Sequence, residues 1–273
     1  MSYRTLMVVV DDDPGLDTRL ACARQLARRF DAFLRGLHVR PLPVVPVSYG
    51  EAAAYIGPEL VEAQRRTSRE VASRLRGRFE EAASELVPEV EWRETEGEAG
   101  LVAVAEARTV DLTLAPRTEA TGLEAFEPAL AEHLVMGAGG PVLVLPPQLP
   151  TSDIGRQVLV AWNGSRQSCR ALHDALPFLA LADRVEVLAI GEEAGASLED
   201  ALVMLRRHGV DPQGVRLPES GPIGRQLLAE AEARGADLLV MGAYGHSRLR
   251  ELVLGGATRH ILAHAPLPLL LAN

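Results

Sequence analysis

The sequence predicts an α/β protein made of two similar open parallel sheets in tandem. Short, continuously apolar segments alternate with helical patterns, as a parallel sheet covered by helices on both faces requires. The same order of elements occurs twice, and a proline-rich stretch separates the two copies. A chain of 273 residues is long enough for two modest domains with ordinary cores. We expect a first half over residues 1–150 and a second half over residues 151–273.

The opening elements of the two halves correspond. The first half begins "TLMVVVDDDPGLDTRLACARQLARRFDAFLRGLHVR", which indicates a strand, a turn, an amphipathic helix and a second strand. The second half repeats this order in "QVLVAWNGSRQSCRALHDALPFLALADRVEVLAIG". Its predicted elements are a strand Val158 to Trp162, a turn Asn163 to Ser165, a helix Arg166 to Leu181 and a strand Val185 to Ile190. Alignment of the two halves places Asp11 beside Asn163.

The closing elements also correspond, and each pair is a helix followed by a strand. "AEARTVDLTLAP" parallels "AEARGADLLVMG", and "EHLVMGAGGPVLVLPP" parallels "RHILAHAPLPLLLAN". The predicted boundary lies in "PPQLPTSDIGR", whose prolines break helix and sheet. The first half is longer because "PLPVVPVSYGEAAAYIGPEL" leads into a long charged helix, roughly Pro58 to Leu86. The matching helix of the second half, Ser197 to His208, is short.

Composition excludes several classes of function. The net charge of -9 argues against nucleic-acid or anionic-membrane surfaces, which require summed positive charge. The sequence contains no lysine, so all 28 basic residues are arginine and lysine-dependent chemistry is impossible. No window has about eighteen consecutive apolar residues and the N-terminus has no signal-peptide pattern, so we expect a cytoplasmic protein. Cys22 and Cys169 are expected to be small core residues.

The glycines of the second half indicate a phosphate site. In "GADLLVMGAYG" the apolar strand Leu238 to Met241 runs directly into Gly242 and Gly245. Ligands of open parallel sheets collect beyond the carboxyl ends of the strands, and glycine has no Cβ to block the approach. Gly255 and Gly256 then precede "ATRHILAHA", a helix whose first turn presents unpaired N–H groups. These are the elements of a phosphate cradle.

This combination resembles the universal stress protein family, whose nucleotide-binding members carry G-x2-G-x9-G-(S/T). The spacing matches at Gly242, Gly245 and Gly255. The family's opening strand and turn resemble "VLVAWNGSRQSCRALHDAL", and its ending resembles "RHILAHAPLPLLLAN". The resemblance covers the whole chain as a tandem pair and is stronger in the second half. It implies two Rossmann-like domains of the adenine nucleotide alpha hydrolase type.

The resemblance also implies a ligand and a set of binding residues. The ligand is ATP or another adenine nucleotide, which Mg²⁺ could accompany. Gly256 stands where the family has Ser or Thr, and Thr258 could supply the missing hydroxyl; Asn163 stands where many members have Asp, and its amide can still bond a ribose hydroxyl or a base edge. The implied nucleotide-binding residues are Ala161, Trp162, Asn163, Met241, Gly242, Gly245, Arg248, Gly255, Gly256, Ala257 and Thr258.

The first half lacks the features of a nucleotide site. Pro116 aligns with Gly242, and "APRTEATGLEAFEPAL" has no Gly-x2-Gly. The run Asp11 to Asp13 would repel phosphate, so we expect one nucleotide at most per chain. The aspartates could instead form a metal or acid–base site. We prefer Asp13 as a helix N-cap with Pro14 at the first helical position.

Two other patterns have structural interpretations. His260 and His264 share one face of the final helix, but no third ligand or intervening glutamate accompanies them, so we expect a helix-terminal charge or packing rather than a metal site. Ser165 lacks the nucleophile-elbow pattern and is predicted to be a helix N-cap. We therefore predict no catalytic residue and no metal ligand.

Three functions remain open. The first is a nucleotide-binding regulatory protein of the universal stress type, favoured by the glycine spacing. The second is a dimeric interaction module that keeps the fold without binding nucleotide, favoured by Gly256. The third, a slow ATP hydrolase or adenylate-forming enzyme, has the least support because no activated nucleophile or paired carboxylate is evident.

The last strands of the two halves predict how the halves meet. Both are short and apolar, and such uncovered edges associate. The family resemblance implies that these edges pair between two domains, and a short linker raises their effective concentration. We therefore expect an intramolecular pseudo-dimer in which Val142 to Leu145 faces Leu267 to Leu271. A further homodimer is also possible.

Overall fold

The computed structural model describes residues 2–44, 53–84, 90–117, 129–244 and 256–273, and in these residues each half has five strands, with four helices in the first half and six in the second. The strands are β1 (Thr5–Val9), β2 (Phe33–Arg40), β3 (Val90–Glu96), β4 (Leu112–Pro116), β5 (Val142–Leu145), β6 (Gln157–Trp162), β7 (Arg184–Ile190), β8 (Pro212–Leu217), β9 (Leu238–Gly242) and β10 (Leu269–Ala272). The helices of the first half are α1 (Leu16–Phe30), α2 (Ala53–Ala83), α3 (Ala99–Ala107) and α4 (Leu130–Gly137). Those of the second half are α5 (Arg166–Asp174), α6 (Leu176–Leu179), α7 (Glu192–Ala196), α8 (Leu198–Arg207), α9 (Ile223–Ala233) and α10 (Ala257–His264).

The strands form one ten-stranded sheet in the order β3-β2-β1-β4-β5-β10-β9-β6-β7-β8. Neighbouring strands within each half are parallel, and the two halves join through the antiparallel pair β5 and β10. Leu270 lies opposite Leu143 at the centre of that pair. The predicted α/β fold and the predicted pairing of the two last strands are therefore confirmed.

Alternation along the strands divides the core into two layers. Leu6 and Val8 of β1 face the layer that contains α1 and α2, whereas Met7 and Val9 face the layer that contains α3 and α4. The second half continues both layers, with α5, α6 and α8 on the first face and α9 and α10 on the second. This period of two explains why a continuously apolar run such as "LMVV" of β1 occurs, since both faces of the strand are covered.

An aromatic cluster also links the two halves beside the strand pairing. The rings of Tyr3 and Phe30 in the first half meet the ring of Phe178 in α6 edge to face, with centroids 5.8 and 5.2 Å from it. Arg29 donates to the carbonyl oxygens of Ile154 at 2.6 Å and Leu181 at 3.0 Å. The connection between β5 and β6 is thus bonded to α1, and the predicted boundary near residue 150, which falls within it, stays a prediction.

Several predicted helix ends differ from the observed ones. The helix α2 begins at Ala53 rather than Pro58 and ends at Ala83, and Leu86 lies outside the described residues. The predicted single helix from 166 to 181 is divided at Ala175 into α5 and α6, because Pro177 has no N–H to continue the ladder.

Two further sequence interpretations are corrected. Helix α1 begins at Leu16 with Gly15 as its N-cap, so Asp13 is not the N-cap and Pro14 is not the first helical residue. The Asp13 carboxylate accepts from the Gly15 N–H at 2.8 Å, in the turn that precedes the helix. Cys22 is buried as expected, but Cys169 is exposed on α5 because its position faces away from the sheet. Among the described residues no helix combines the length and apolarity needed to cross a membrane.

Candidate functional site

A cavity of about 430 Å³ lies at the carboxyl ends of β6, β7 and β9 in the second half. Its floor is apolar and comes from neighbouring strands, and the first turns of α5 and α10 form two of its walls. A cavity at the ends of parallel strands is the usual ligand position in an open α/β sheet. Its lining residues are Ala161, Trp162, Asn163, Ser165, Gln167, Ser168, Leu188, Ile190, Gly191, Glu192, Ala194, Glu219, Ile223, Leu227, Met241, Gly242, Tyr244, Ala257 and Thr258.

The N-terminus of α10 supplies the donors at one end of the cavity. Gly256 is the N-cap, with extended backbone angles and no side chain to occupy the free N–H groups of the first turn. Thr258 is 4% exposed and lines the cavity. Its Oγ1 accepts a long bond of 3.4 Å from the backbone N–H of Tyr244, and the hydroxyl proton can still be donated.

The turn after β6 supplies the opposite wall. The Asn163 side-chain oxygen accepts from the Ser165 N–H at 3.1 Å, which leaves its amide nitrogen as a donor beside the cavity. Ser165 Oγ accepts from the Ser168 N–H at 3.2 Å, so the predicted N-cap of α5 is confirmed. The Trp162 indole donates to Ser197 Oγ at 3.0 Å, which fixes the ring as part of the wall.

Gly242 has a structural cause that sequence reasoning missed. A Cβ at this position would lie 2.4 Å from both the carbonyl carbon of Gln167 and the backbone nitrogen of Ser168. No real Cβ tolerates that distance, so the residue must be glycine for α5 to pack on the end of β9. The predicted reason, close approach of a phosphate, is therefore not needed to explain Gly242.

The structure brings most of the predicted binding residues together. Those in contact with the cavity are Ala161, Trp162, Asn163, Met241, Gly242, Ala257 and Thr258, and Gly256 adjoins them as the N-cap of α10. Gly245, Arg248 and Gly255 lie outside the described residues. The role of each residue in binding stays a prediction.

Sequence reasoning missed the part of the lining that comes from β7 and α9. Leu188 and Ile190 of β7 form the part of the cavity floor that lies beside β6, and Leu227 of α9 covers this part of the floor. These are ordinary core residues by type, and only the pairing of β7 with β6 brings them to the cavity. Gly191, with φ of 88°, could have been flagged because it follows a predicted strand directly, as Gly242 does.

The charged lining residues are acidic. Glu192 follows β7 and Glu219 follows β8, and both border the cavity. No arginine is among the described lining residues, and Arg259, although on α10, lies 4.0 Å from Glu132 of the first half instead. Among the described lining residues, the N-terminus of α10 is therefore the feature that favours an anion.

The described residues contain no group of three or more His, Cys, Asp or Glu able to hold a metal ion. His260 and His264 stack with centroids 4.4 Å apart, and His264 Nδ1 contacts the carbonyl oxygen of His260 at 2.8 Å. Burial, and then the charges of His264 and Arg225, lower the pKa of His260. The pair thus packs at the end of α10, and nothing in these residues supports Mg²⁺.

Comparison with known proteins identifies the family. The sequence model of the universal stress protein family matches residues 2–146 and again residues 177–273. The chain belongs to the universal stress protein family. A curated relative, the universal stress protein Slr1230 of Synechocystis sp., is 33% identical over 149 residues, which is 51% of this chain and 49% of that protein. The chain thus spans about half the length of the curated relative it matches.

Two solved structures share the fold over nearly the whole chain. A universal stress protein from Archaeoglobus fulgidus has a TM-score of 0.72 at 16% identity, covering 98% of each chain. A putative universal stress protein from Pseudomonas aeruginosa has a TM-score of 0.60 at 15% identity, covering 99% of this chain and 93% of that one. The fold of this universal stress protein, with both halves in one chain, is therefore shared with these two solved structures.

In the first half of this universal stress protein, a basic group accompanies each of the three aspartates at the end of β1. Asp11 lies 3.5 Å from His38, Asp12 lies 2.6 Å from Arg74, and Asp13 lies 2.5 Å from Arg19. The run is therefore largely neutralised, which weakens the electrostatic repulsion that the sequence predicted. It also leaves the aspartates engaged in bonds that hold α1 and α2 to the sheet.

Proposed function

We propose that this universal stress protein is a regulatory protein that binds one adenine nucleotide in the second half. The observation that carries the proposal is the cavity at the ends of β6, β7 and β9, which opens onto the first turn of α10. Its volume of about 430 Å³ falls within the usual range for small-molecule sites. The apolar floor of the cavity suits a nucleotide base, and the N–H donors at one end of the cavity suit phosphate.

The phosphate end would lie at α10. Gly256, Ala257 and Thr258 contribute backbone N–H groups to the free first turn, and the positive end of the helix dipole favours an anion there. The Thr258 hydroxyl takes the part that the family's Ser or Thr has at the position of Gly256. The glycines at 245 and 255 and Arg248 are expected to complete this end of the site.

The base and ribose would lie toward β7. Glu192 and Glu219 follow β7 and β8, which are two and three strands from β9 in the sheet order. With strands about 4.8 Å apart, the strands that precede these two residues lie roughly 10 to 14 Å from the strand that ends at Gly242. That separation keeps them away from the phosphates and leaves them as acceptors for ribose hydroxyls or an exocyclic amine.

The lining favours binding over turnover. Ser165 Oγ already accepts the N–H of Ser168, and Ser168 Oγ donates to the Ser165 carbonyl oxygen at 3.0 Å. These hydroxyls are therefore committed to capping α5 rather than paired with a base. The charged side chains of the described lining are acidic and the sequence has no lysine, so no cationic side chain of the described lining could stabilise the charge of a transferring phosphoryl group.

An interaction module without nucleotide is the second candidate. It is favoured by Gly256 in place of Ser or Thr and by Gly242, whose identity the packing of α5 already explains. A third function, slow ATP hydrolysis, has no specific observation in its favour.

Isothermal titration of the intact protein with ATP, AMP and adenosine tests the proposal. We expect ATP to bind with a stoichiometry of one per chain and more tightly than adenosine, because adenosine has no phosphate to reach α10. GTP is the control for the base. If calorimetry gives no binding heat and NMR spectra show no chemical-shift change with millimolar ATP, the interaction module is supported instead.

A further inference from the structure

A second cavity, of about 540 Å³, lies in the first half, away from the candidate nucleotide site in the second half. It sits under α2 at the carboxyl ends of β2 and β3. Along β2, Leu37 and Val39 belong to the layer of α3 and α4, whereas His38 and Arg40 have the opposite parity and line this cavity. The long helix α2 of the first half is what covers it.

One wall is apolar and fixed in place. Pro41, Leu42 and Pro43 follow β2 and line the cavity, and Ala63 and Val71 line it from α2. The segment is bonded to the helix, because the side-chain amide of Gln64 accepts from the Val44 N–H at 2.8 Å and donates to the Val44 carbonyl oxygen at 2.9 Å. This anchoring holds the wall open against α2.

Two buried donors that α2 contributes to the cavity have no hydrogen-bond partner among the described residues. They are Arg65 Nε and Ser68 Oγ, which lie one turn apart on α2 and both belong to lining residues. Behind the lining, the Trp92 indole N–H also has no hydrogen-bond partner among the described residues. The Trp92 ring stacks on His38 with centroids 6.2 Å apart. A buried donor without a partner destabilises the fold, so a molecule that brings acceptors here is favoured.

The charges around the cavity are already balanced. Arg40 lies 2.7 Å from Glu94 and 3.1 Å from Glu96, and Arg65 lies 3.5 Å from Glu96. His38 is paired with Asp11 at 3.5 Å. An ionic ligand would therefore enter an apolar cavity without a free countercharge, which is costly. The cavity suits an uncharged ligand.

We propose that this cavity binds a small uncharged molecule with an apolar ring or chain and a carbonyl-type acceptor, which accepts from Arg65 Nε–H and the Ser68 hydroxyl. A volume of about 540 Å³ accommodates such a molecule. The site is separate from the nucleotide cavity, so it does not depend on the proposed function.

Titration of the intact protein with acetophenone, followed by ¹⁵N–¹H spectra, tests the proposal. The indole signal of Trp92, assigned with Trp162→Phe, reports on the ring that stacks on His38. We expect saturable shifts of this signal with acetophenone, weaker shifts with benzoate and none with phenyl phosphate, because the last two carry charge. Equal responses to all three, or an unmoved signal at millimolar acetophenone, would overturn the proposal.

Variants on α2 distinguish the site from general apolar adsorption. Ser68→Ala removes one donor and should weaken acetophenone binding about three- to tenfold. Ala63→Phe, at an exposed position on the cavity wall, should abolish binding without disturbing the core. Ser73→Ala, on the same helix but away from the lining, is the matched control and should bind as the wild type does. Binding that is unchanged in both Ser68→Ala and Ala63→Phe would show adsorption elsewhere and contradict the proposal.

Discussion

Gly242 at the end of β9 lies directly against the Gln167–Ser168 peptide of α5, so close that a Cβ would be 2.4 Å from two backbone atoms. The contact joins the floor of the candidate nucleotide cavity to one of its walls. Since backbone cannot retreat as a flexible side chain can, any side chain here must displace α5. The glycine motif of this universal stress protein therefore has a packing role at its first position.

Replacing Gly242 with alanine should lower the free energy of unfolding by about 1–3 kcal/mol, the usual cost of overpacking. Gly77→Ala is the matched control, because no atom lies within 4 Å of a Cβ at that exposed position of α2. It should stabilise the protein by about 0.5–1 kcal/mol through helix propensity. Urea denaturation of both variants measures the difference. A Gly242→Ala protein as stable as the wild type would contradict the packing role.

Thr258 tests the phosphate end of the proposed nucleotide site. Thr258→Val keeps the shape of the buried side chain but removes the hydroxyl, and we expect ATP affinity to fall about three- to tenfold while adenosine affinity is unchanged. Thr258→Ser keeps the hydroxyl and should bind ATP nearly as the wild type does. Calorimetry on the three proteins gives both affinities. If valine and serine variants bind ATP equally, the hydroxyl is not a phosphate ligand.

His38 should make stability depend on pH. Burial lowers the pKa of His38, but the hydrogen bonds to Asp11 and the Val10 carbonyl and the charges of Asp11 and Glu94 outweigh it, so the net pKa is raised above 6.5. A raised histidine pKa stabilises the fold fully below the unfolded pKa, and this stabilisation is lost as the pH rises through the folded pKa. We therefore expect wild-type stability to decrease as the pH rises from 6.5.

Asp11→Asn should remove much of that pH dependence and lower the His38 pKa, which NMR titration of the imidazole measures directly. Asp12→Asn is the control, since Asp12 pairs with Arg74 and not with His38. A His38 pKa that is the same in the wild type and in Asp11→Asn would show that the ion pair has no influence.

Phe178 should couple the stability of the two halves. Its ring contacts Tyr3 and Phe30 of the first half and is fully buried, so Phe178→Ala should cost about 3–5 kcal/mol. Leu181→Ala, at a position 46% exposed, should change stability by less than about 0.5 kcal/mol. Urea denaturation followed by fluorescence measures both. A loss below about 1 kcal/mol for Phe178→Ala would mean that the halves do not depend on this contact.

Local patterns in the sequence predicted much of the site because its parts are local. The apolar strand before Gly242, the Ser165 cap and the helix after Gly256 are all continuous stretches whose spacing is visible in one sequence. The lining from β7 and α9 was not predictable in this way. Leu188 and Leu227 have the residue type and burial of any core position, and only the fold brings them to the cavity.

The sequence by itself determined the alternation of strands and helices, the internal repeat and the apolar last strands, because these depend on which residues avoid water and at what period. Only the tertiary structure decided what each singular residue does. Gly242 packs against the backbone of α5, and Asp11 pairs with His38. The unpartnered donors of α2 line a cavity beneath the helix. Such contacts join residues far apart in the chain. Their distances depend on how the helices pack on the sheet, and no local sequence pattern encodes that packing.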